Sequence, residues 1–325
     1  MGLKNYIALL KRYSIFYIVC LFSEFISRRL LFFCYKFKFK LLGIKHLIVN
    51  LFDGKKMILD PNDRGLSHDL LFDPKKHREE YASSYIIDIY KKNPQKVFFD
   101  LGCNLGYYSI LLSDYFDKII GVEPVKSSGE ICVLNSKINK FEDKFTLIEG
   151  AIAPKSGFVK IDDKAAKNLV KVSKVGEKNQ ENNCQSYTIS EICNLQKVKK
   201  IDFLKMDVEG YEYEIIVEGE NDFFKYAPDR IFLEIHFDIL GSEKSIAVLN
   251  ALKNNGYFVE RAFSEIKVKT SWLGPFSKMY RWFVEKIIMK NQFGEIYKEV
   301  GIDEIINNKK IINANHGAIE FIFKK

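Results

Sequence analysis

Asp100-Leu101-Gly102-Cys103-Asn104-Leu105-Gly106 sets an acid, an amide and two glycines within seven residues, after the apolar run Val97-Phe98-Phe99 and before the helix-like stretch Tyr107–Leu112. Strand, glycine turn, helix is the order that aims backbone N–H groups and a helix N-terminus at a polar ligand. The glycines reach backbone angles closed to other residues and put no Cβ between chain and ligand. A dinucleotide fingerprint, Gly-x-Gly-x-x-Gly, would leave room for a pyrophosphate. Here the spacing is Gly-x-Asn-x-Gly, and a carboxylate precedes it. Asp100 would repel phosphate and attract positive charge, a demand met by the sulfonium and ammonium of S-adenosylmethionine. The chemistry expected is methyl transfer.

Three further groups of residues bear on that chemistry. Glu123 ends the apolar run Gly121-Val122-Glu123 before Pro124, where an acid at a strand tip accepts hydrogen bonds from both ribose hydroxyls. Lys205, Asp207 and Glu209 alternate at the end of another apolar run, so their side chains share one face. Asp207 or Glu209 could take a proton from a substrate hydroxyl while Lys205 lowers their pKa or holds the substrate oxygen. The bland alternative is a helix N-terminus with ion pairing, since Glu209 and Glu212 fall in the first turn. Glu234 and His236 also share a face. His236 is the best-placed general base near neutral pH. With Asp207 it could instead ligate a metal, although no resident metal is expected.

These residues need a scaffold that brings strand tips together. From residue 96 apolar strands (96–101, 118–123, 145–149, 201–206, 229–236) alternate with helical stretches near 106–116, 127–139, 187–195, 211–225 and 242–255. That alternation predicts an α/β fold of the Rossmann-like class, with a mostly parallel sheet covered on both faces. Tyr257–Phe263 and Ala318–Phe323 supply an antiparallel edge pair. Residues 46–95 form a lead-in of hairpin and helix, with a turn at Asp53-Gly54 and a break at Asn93-Pro94. Residues 96–325 form the main domain. Residues 154–186 predict a hairpin (157–162 with 168–173) and a polar loop. Residues 264–315 form an insertion in which Trp272, Phe276, Tyr280 and Trp282 interleave with Lys267, Lys269, Lys278 and Arg281.

The 325 residues suffice for one large α/β domain with additions. Six cysteines without a Cys-x-x-Cys pair or zinc spacing argue for a reducing, cytoplasmic setting. Residues 1–50 carry nine Lys/Arg against Glu24 alone, so the whole +8 of the chain sits there and the remainder is balanced. A neutral body disfavours nucleic acid as substrate. Within residues 1–45, Tyr13–Ser23 is uncharged but far short of the ~20 apolar residues that span a bilayer. Wound as a helix, the segment lines Lys4, Lys11, Arg29, Lys36 and Lys40 along one stripe at about 100° per residue. Two readings stand: a basic amphipathic arm lying on the inner face of an anionic membrane, or an arm that packs on the domain or on a second subunit of a homo-oligomer.

Together VFFDLGCNLGYYSILL (97–112), GVEP (121–124), IDFLKMDVEGYEYEII (201–216) and PDRIFLEIHF (228–237) resemble the FkbM family of S-adenosylmethionine-dependent methyltransferases. The stretch 186–192, Arg64–Ser67 and Arg78-Glu79 are also similar to that family, and the likeness spans roughly residues 58–263. It implies a class I methyltransferase fold and methylation of a hydroxyl, often on a sugar or other secondary metabolite. It implies S-adenosylmethionine as cofactor, its methionine end at Asp100, Gly102, Asn104 and Gly106, its ribose at Glu123 and its adenine near Gly150, Ala151 and Ile152. Cys103 departs from the usual alanine. The catalytic set expected is His236, Asp207, Glu209 and Lys205, acting on a small-molecule or glycan acceptor. The alternative is a non-catalytic, membrane-recruited module that keeps the loop as structure.

Overall fold

Two residues of positive φ, Asp53 at 47° and Gly54 at 73°, turn β1 (Leu47–Asn50) back onto β2 (Lys56–Leu59), and the Lys55 N–H donates to the Phe52 carbonyl at 2.9 Å. The computed structural model describes residues 46–60, 66–72, 77, 79–162, 171–173, 183–264, 294–312 and 318–325. The N-terminal arm, Arg64, Gly65, Arg78, the polar loop 174–182 and the aromatic–basic stretch 265–293 lie outside them. Among the described residues no helix is long and apolar enough to cross a membrane.

Helices α1 (Leu66–Phe72) and α2 (Glu80–Lys92) follow the hairpin. Helix α2 stops before Asn93, whose place ahead of Pro94 disfavours helical angles. The chain then alternates: β3 (Gln95–Leu101), α3 (Tyr107–Leu112), β4 (Phe116–Glu123), α4 (Lys126–Ile138) and β5 (Phe145–Glu149). Four short strands come next, β6 (Ala151–Ile152), β7 (Gly157–Asp162), β8 (Lys171–Ser173) and β9 (Asn183–Tyr187). Helix α5 (Ile189–Leu195), β10 (Phe203–Met206), a π-helical turn (Glu214–Glu218), α6 (Glu220–Tyr226), β11 (Arg230–His236) and α7 (Phe237–Asn254) follow. The described chain closes with β12 (Phe258–Ser264), β13 (Gly294–Val300), α8 (Ile302–Asn307), α9 (Lys309–Ile312) and β14 (Ala318–Lys324).

The main sheet has the order β13-β12-β14-β11-β10-β3-β4-β5. Strands β5, β4, β3, β10 and β11 are parallel; β14 runs antiparallel between β11 and β12, and β13 antiparallel beyond β12. Successive side chains on a buried strand go to opposite faces. Phe98 therefore joins Phe116, Ile119, Phe203 and Phe232 in one core, while Phe99 joins Ile120, Val122, Leu204, Met206 and Leu233 in the other. This double burial explains why the strands read as continuous apolar runs. The hairpin packs Met57, Ile58 and Leu59 into the first core, and Asn135 of α4 brackets Ile58 by accepting its N–H at 2.6 Å and donating to its carbonyl at 3.2 Å.

The structure departs from the sequence patterns in four places. Strand β13 lies inside the segment read as an insertion; Lys298 and Glu299 are exposed there, so an edge strand hides without an apolar run. The expected hairpin is present as β7 paired antiparallel with β8, but β9 and β6 extend it into a separate four-stranded sheet, β6-β9-β7-β8. The stretch 211–225 is broken at Gly219, where a Cβ would lie 2.6 Å from the Ile215 carbonyl and 3.3 Å from Pro154. Helix α7 starts at Phe237, with a kink at Gly241 (φ 74°), so His236 sits where strand passes directly into helix.

Candidate active site

Order reverses in the sheet between β3 and β10: β4 and β5 lie on one side, β11 and β14 on the other. A crevice at the carboxyl ends of strands opens at such a switch point. The chain brings Asp100, Gly102, Lys205 and Asp207 there, because Asp100 and Lys205 are register partners across β3 and β10.

The glycine bend holds three residues of positive φ: Gly102 at 72°, Asn104 at 51° and Gly106 at 84°. Packing within the protein gives a further reason for glycine at two of them. A Cβ on Gly102 would lie 1.9 Å from the Asp207 carbonyl oxygen, and one on Gly106 would lie 2.6 Å from Cys132 Sγ. On the side where a Cβ would stand, the glycines thus admit neighbouring protein. Cys103 Sγ sits 3.8 Å from Cys132 Sγ, so the residue that departs from the family pattern is packed inward, below the bend.

Asp100 is fully buried. Its Oδ2 accepts from Ser109 Oγ at 2.7 Å, its Oδ1 lies 3.6 Å from Lys205 Nζ, and Oδ1 has no hydrogen-bond partner among the described residues. Lys205 donates to the Gly102 carbonyl at 2.9 Å and lies 3.8 Å from Asp207 Oδ2. Burial alone would lower the Lys205 pKa; the charges of Asp207 and Asp100 outweigh it and hold the ammonium. A buried carboxylate with an unsatisfied oxygen beside the bend suits a ligand that carries hydrogen-bond donors and positive charge.

Glu123 is buried at the tip of β4. One oxygen accepts from the Asn104 N–H and the other from the Val125 N–H, both at 2.8 Å. Each keeps a lone pair, which a ribose hydroxyl could use. Burial pushes its pKa up to about 7, against the pull of those two N–H groups. The native state therefore holds a proton that the unfolded chain releases near pH 4.5, and stability from this group falls as pH rises from 4.5 to 7, by an amount on the order of 3 kcal/mol. In urea unfolding, the stability of wild type minus that of Glu123→Gln should drop between pH 5 and pH 8. An unchanged difference would show that Glu123 does not titrate in this window.

Gly150 donates its N–H to the Glu123 carbonyl at 3.0 Å, and a Cβ there would strike the Gln185 carbonyl at 2.6 Å. Ala151 and Ile152 turn their side chains into the core, so this segment would present backbone, not side chains, to an adenine.

The second half of the site stands at the ends of β10 and β11. His236 is buried. Its Nδ1 lies 2.7 Å from Glu212 Oε1, and its Nε2 lies 3.3 Å from Glu209 Oε2 and 3.8 Å from Glu234 Oε1. Burial opposes the charged ring, but the hydrogen bonds to Glu209 and Glu212 and the charge of Glu234 raise its pKa well above 6.5. With carboxylates facing both nitrogens, the surroundings of the ring favour its charged form. Glu209 reaches it through a left-handed backbone (φ 50°) followed by Gly210 at 96°, an arrangement of the kind found at functional sites.

Ser109 and Glu212 also stand in this cluster, through their contacts with Asp100 and His236. Ser109 lies on a helix whose six residues are all buried, so only its polarity within an apolar stretch marked it. Glu212 is fully buried and also accepts the Gly210 N–H at 3.1 Å. In the sequence it reads as an ordinary first-turn acid. At the rim, Tyr108 Oη donates to Glu79, and Lys205 stands 5.8 Å from the Tyr108 ring.

A mostly parallel sheet of this order, with a glycine bend and an acid at the tips of adjacent strands, defines a class I, Rossmann-like S-adenosylmethionine-dependent methyltransferase. Residues 100–259 match the family described as the methyltransferase FkbM domain, so the chain carries an FkbM methyltransferase domain in that segment. No curated protein matches it. Among solved structures it is similar to precorrin 8W decarboxylase of Methanobacterium thermoautotrophicum (13% identity, 83% of this chain and 96% of that one, TM-score 0.41). It is also similar to precorrin-6y C5,15-methyltransferase of Geobacter metallireducens (14%, 77% and 90%, TM-score 0.36) and to M. jannaschii TYW2 in complex with AdoMet (13%, 86% and 87%, TM-score 0.37).

Proposed function

We propose that the protein methylates a hydroxyl oxygen on a sugar, glycan or other secondary metabolite. The observation that carries this reading is the contact between Gly102 and the Asp207 carbonyl, which leaves no room for a Cβ. It joins the cofactor-facing bend to the carboxylate–histidine cluster at the tips of β10 and β11. S-adenosylmethionine supplies an electrophilic methyl group when bound. Asp100, with its spare buried oxygen, would hold the positively charged methionine end, and Glu123 the ribose.

The acceptor hydroxyl gives its proton to the Asp207/Glu209 pair as its oxygen takes the methyl. Lys205 holds Asp207 at 3.8 Å, and His236 holds Glu209 at 3.3 Å. Most of the rate then comes from orientation, which converts an encounter into an intramolecular step. The FkbM methyltransferase domain match over residues 100–259 favours this enzyme over a non-catalytic module that keeps the bend only as structure.

Calorimetry and transfer of a labelled methyl group to hydroxylated acceptors test the reading. Wild type should bind S-adenosylmethionine, and saturating ligand should raise thermal stability by mass action. Asp100→Ala should lose that binding. His236→Ala should keep it and turn over at least about 100-fold more slowly. Unchanged cofactor affinity in Asp100→Ala would remove the site assignment, and methylation of carbon or nitrogen only would remove the hydroxyl.

A further inference from the structure

The cluster at the tips of β10 and β11 is built more like a ligand cage than a set of ion pairs. One donor atom from each of Asp207, Glu209 and His236 lies within 4.8 Å of the other two. His236 Nε2 and Glu209 Oε2 are 3.3 Å apart, close to the roughly 3 Å edge of an octahedron with bonds of about 2.1 Å. We infer that Asp207, Glu209 and His236 bind a divalent cation, which holds the acceptor oxygen beside the methyl donor. The inference rests on the hydroxyl-methylation reading and deepens it at the same cluster.

Glu212 is the second observation. It is fully buried, its Oε1 lies 2.7 Å from His236 Nδ1, and its Oε2 has no hydrogen-bond partner among the described residues. A buried carboxylate oxygen left unsatisfied is costly. A cation at Nε2 would fix His236 as the Nδ1–H tautomer that donates to Glu212 Oε1, and its charge would offset the buried negative charge of that carboxylate. Metal-bound histidines characteristically donate their far N–H to a carboxylate, which fixes the tautomer and aims the ligating nitrogen. Glu212 is thus a positioning residue rather than a ligand.

Two carboxylates and one imidazole suit a cation between the oxygen-seeking and nitrogen-seeking extremes, and Mn²⁺ is the natural probe. Three protein donors leave three octahedral positions. An acceptor with two adjacent oxygens, such as a vicinal diol, would fill two of them in place of water. As a Lewis acid the ion would lower the pKa of the bound hydroxyl, whose proton would pass to the non-ligating oxygen of Asp207 or Glu209 while the hydroxyl oxygen stays positioned for the methyl.

Mn²⁺ titration of the full chain, followed by electron paramagnetic resonance without cofactor or acceptor, tests the site independently of methyl transfer. Wild type should remove one equivalent of free-ion signal, and His236→Ala should bind at least about 30-fold more weakly. Glu212→Gln should lose about 10–100-fold in affinity. Pulsed measurements on the wild-type complex should show nitrogen coupling from one imidazole, a readout that survives if a variant fails to fold. No Mn²⁺ binding, or a complex without imidazole nitrogen, overturns the inference while leaving the methyltransferase reading intact. Loss of S-adenosylmethionine binding would instead strike that reading.

Discussion

Gly102→Ala should abolish S-adenosylmethionine binding and lower the thermal midpoint by roughly 5–10 °C. The added methyl would stand 1.9 Å from the Asp207 carbonyl oxygen and 3.0 Å from its carbon. Both are backbone atoms, and the Asp207 N–H is tied to the Leu101 carbonyl at 3.1 Å, so β10 cannot swing aside cheaply. Overpacking of this kind costs about 1–3 kcal/mol, and a left-handed non-glycine residue adds about 1 kcal/mol. The damage falls on the joint between the two halves of the site, and cofactor binding should fail before the fold does. Gly54→Ala is the control: φ is 73° there too, but nothing lies within 4 Å. It should cost only the backbone strain and leave cofactor affinity unchanged. Differential scanning calorimetry with cofactor titration reads both variants. Wild-type affinity in Gly102→Ala would mean the bend and Asp207 are not held as the structure has them.

Lys205→Met carries the other large effect. Lys205 is 5% exposed and Asp100 0%. Removing the ammonium leaves Asp100, 3.6 Å from it, in a low-dielectric site with no compensating cation, and the Gly102 carbonyl loses its 2.9 Å donor. Breaking a buried pair from one side costs about 3–5 kcal/mol, because the orphaned charge pays for desolvation without return. Adding Asp100→Asn should recover part of that loss, since it removes the stranded charge. Recovery should be incomplete because Asp207 also loses the ion pair it makes with Lys205 at 3.8 Å. Urea unfolding of the two single variants and the double closes the cycle. Strict additivity would show that Asp100 and Lys205 do not interact. A Lys205→Met variant within about 1 kcal/mol of wild type would show that the pair contributes nothing to the fold.

Periodicity recovered most of the core strands. Each of β3, β4, β5, β10 and β11 overlaps a run read from the sequence to within about two residues at either end, because both faces are buried and the apolar runs are continuous. Strand β13 escaped because an edge strand with exposed Lys298 and Glu299 has no such run. Of the small second sheet only the β7–β8 hairpin was legible, because β6 is two residues long and β9, Asn183–Tyr187, has no apolar run. At the site, Glu123 and the Asp100 bend stood out through local spacing. Ser109 and Glu212 did not, since a serine in a buried helix and an acid in a first turn look ordinary until their partners are known.

Local order by itself determined the α/β class, the glycine bend after β3 and the acids at the strand tips. Each depends on neighbours within a few residues and on the two-residue repeat of a strand. Only the tertiary structure decided what those side chains do. Asp100 and Lys205 are 105 positions apart in sequence yet register partners across two strands. Gly102 meets the Asp207 carbonyl where a Cβ would stand, and His236 is clasped between Glu209 and Glu212. Charge state, cation affinity and close approach depend on what lies within a few ångströms through space, and strand pairing across long loops sets those distances.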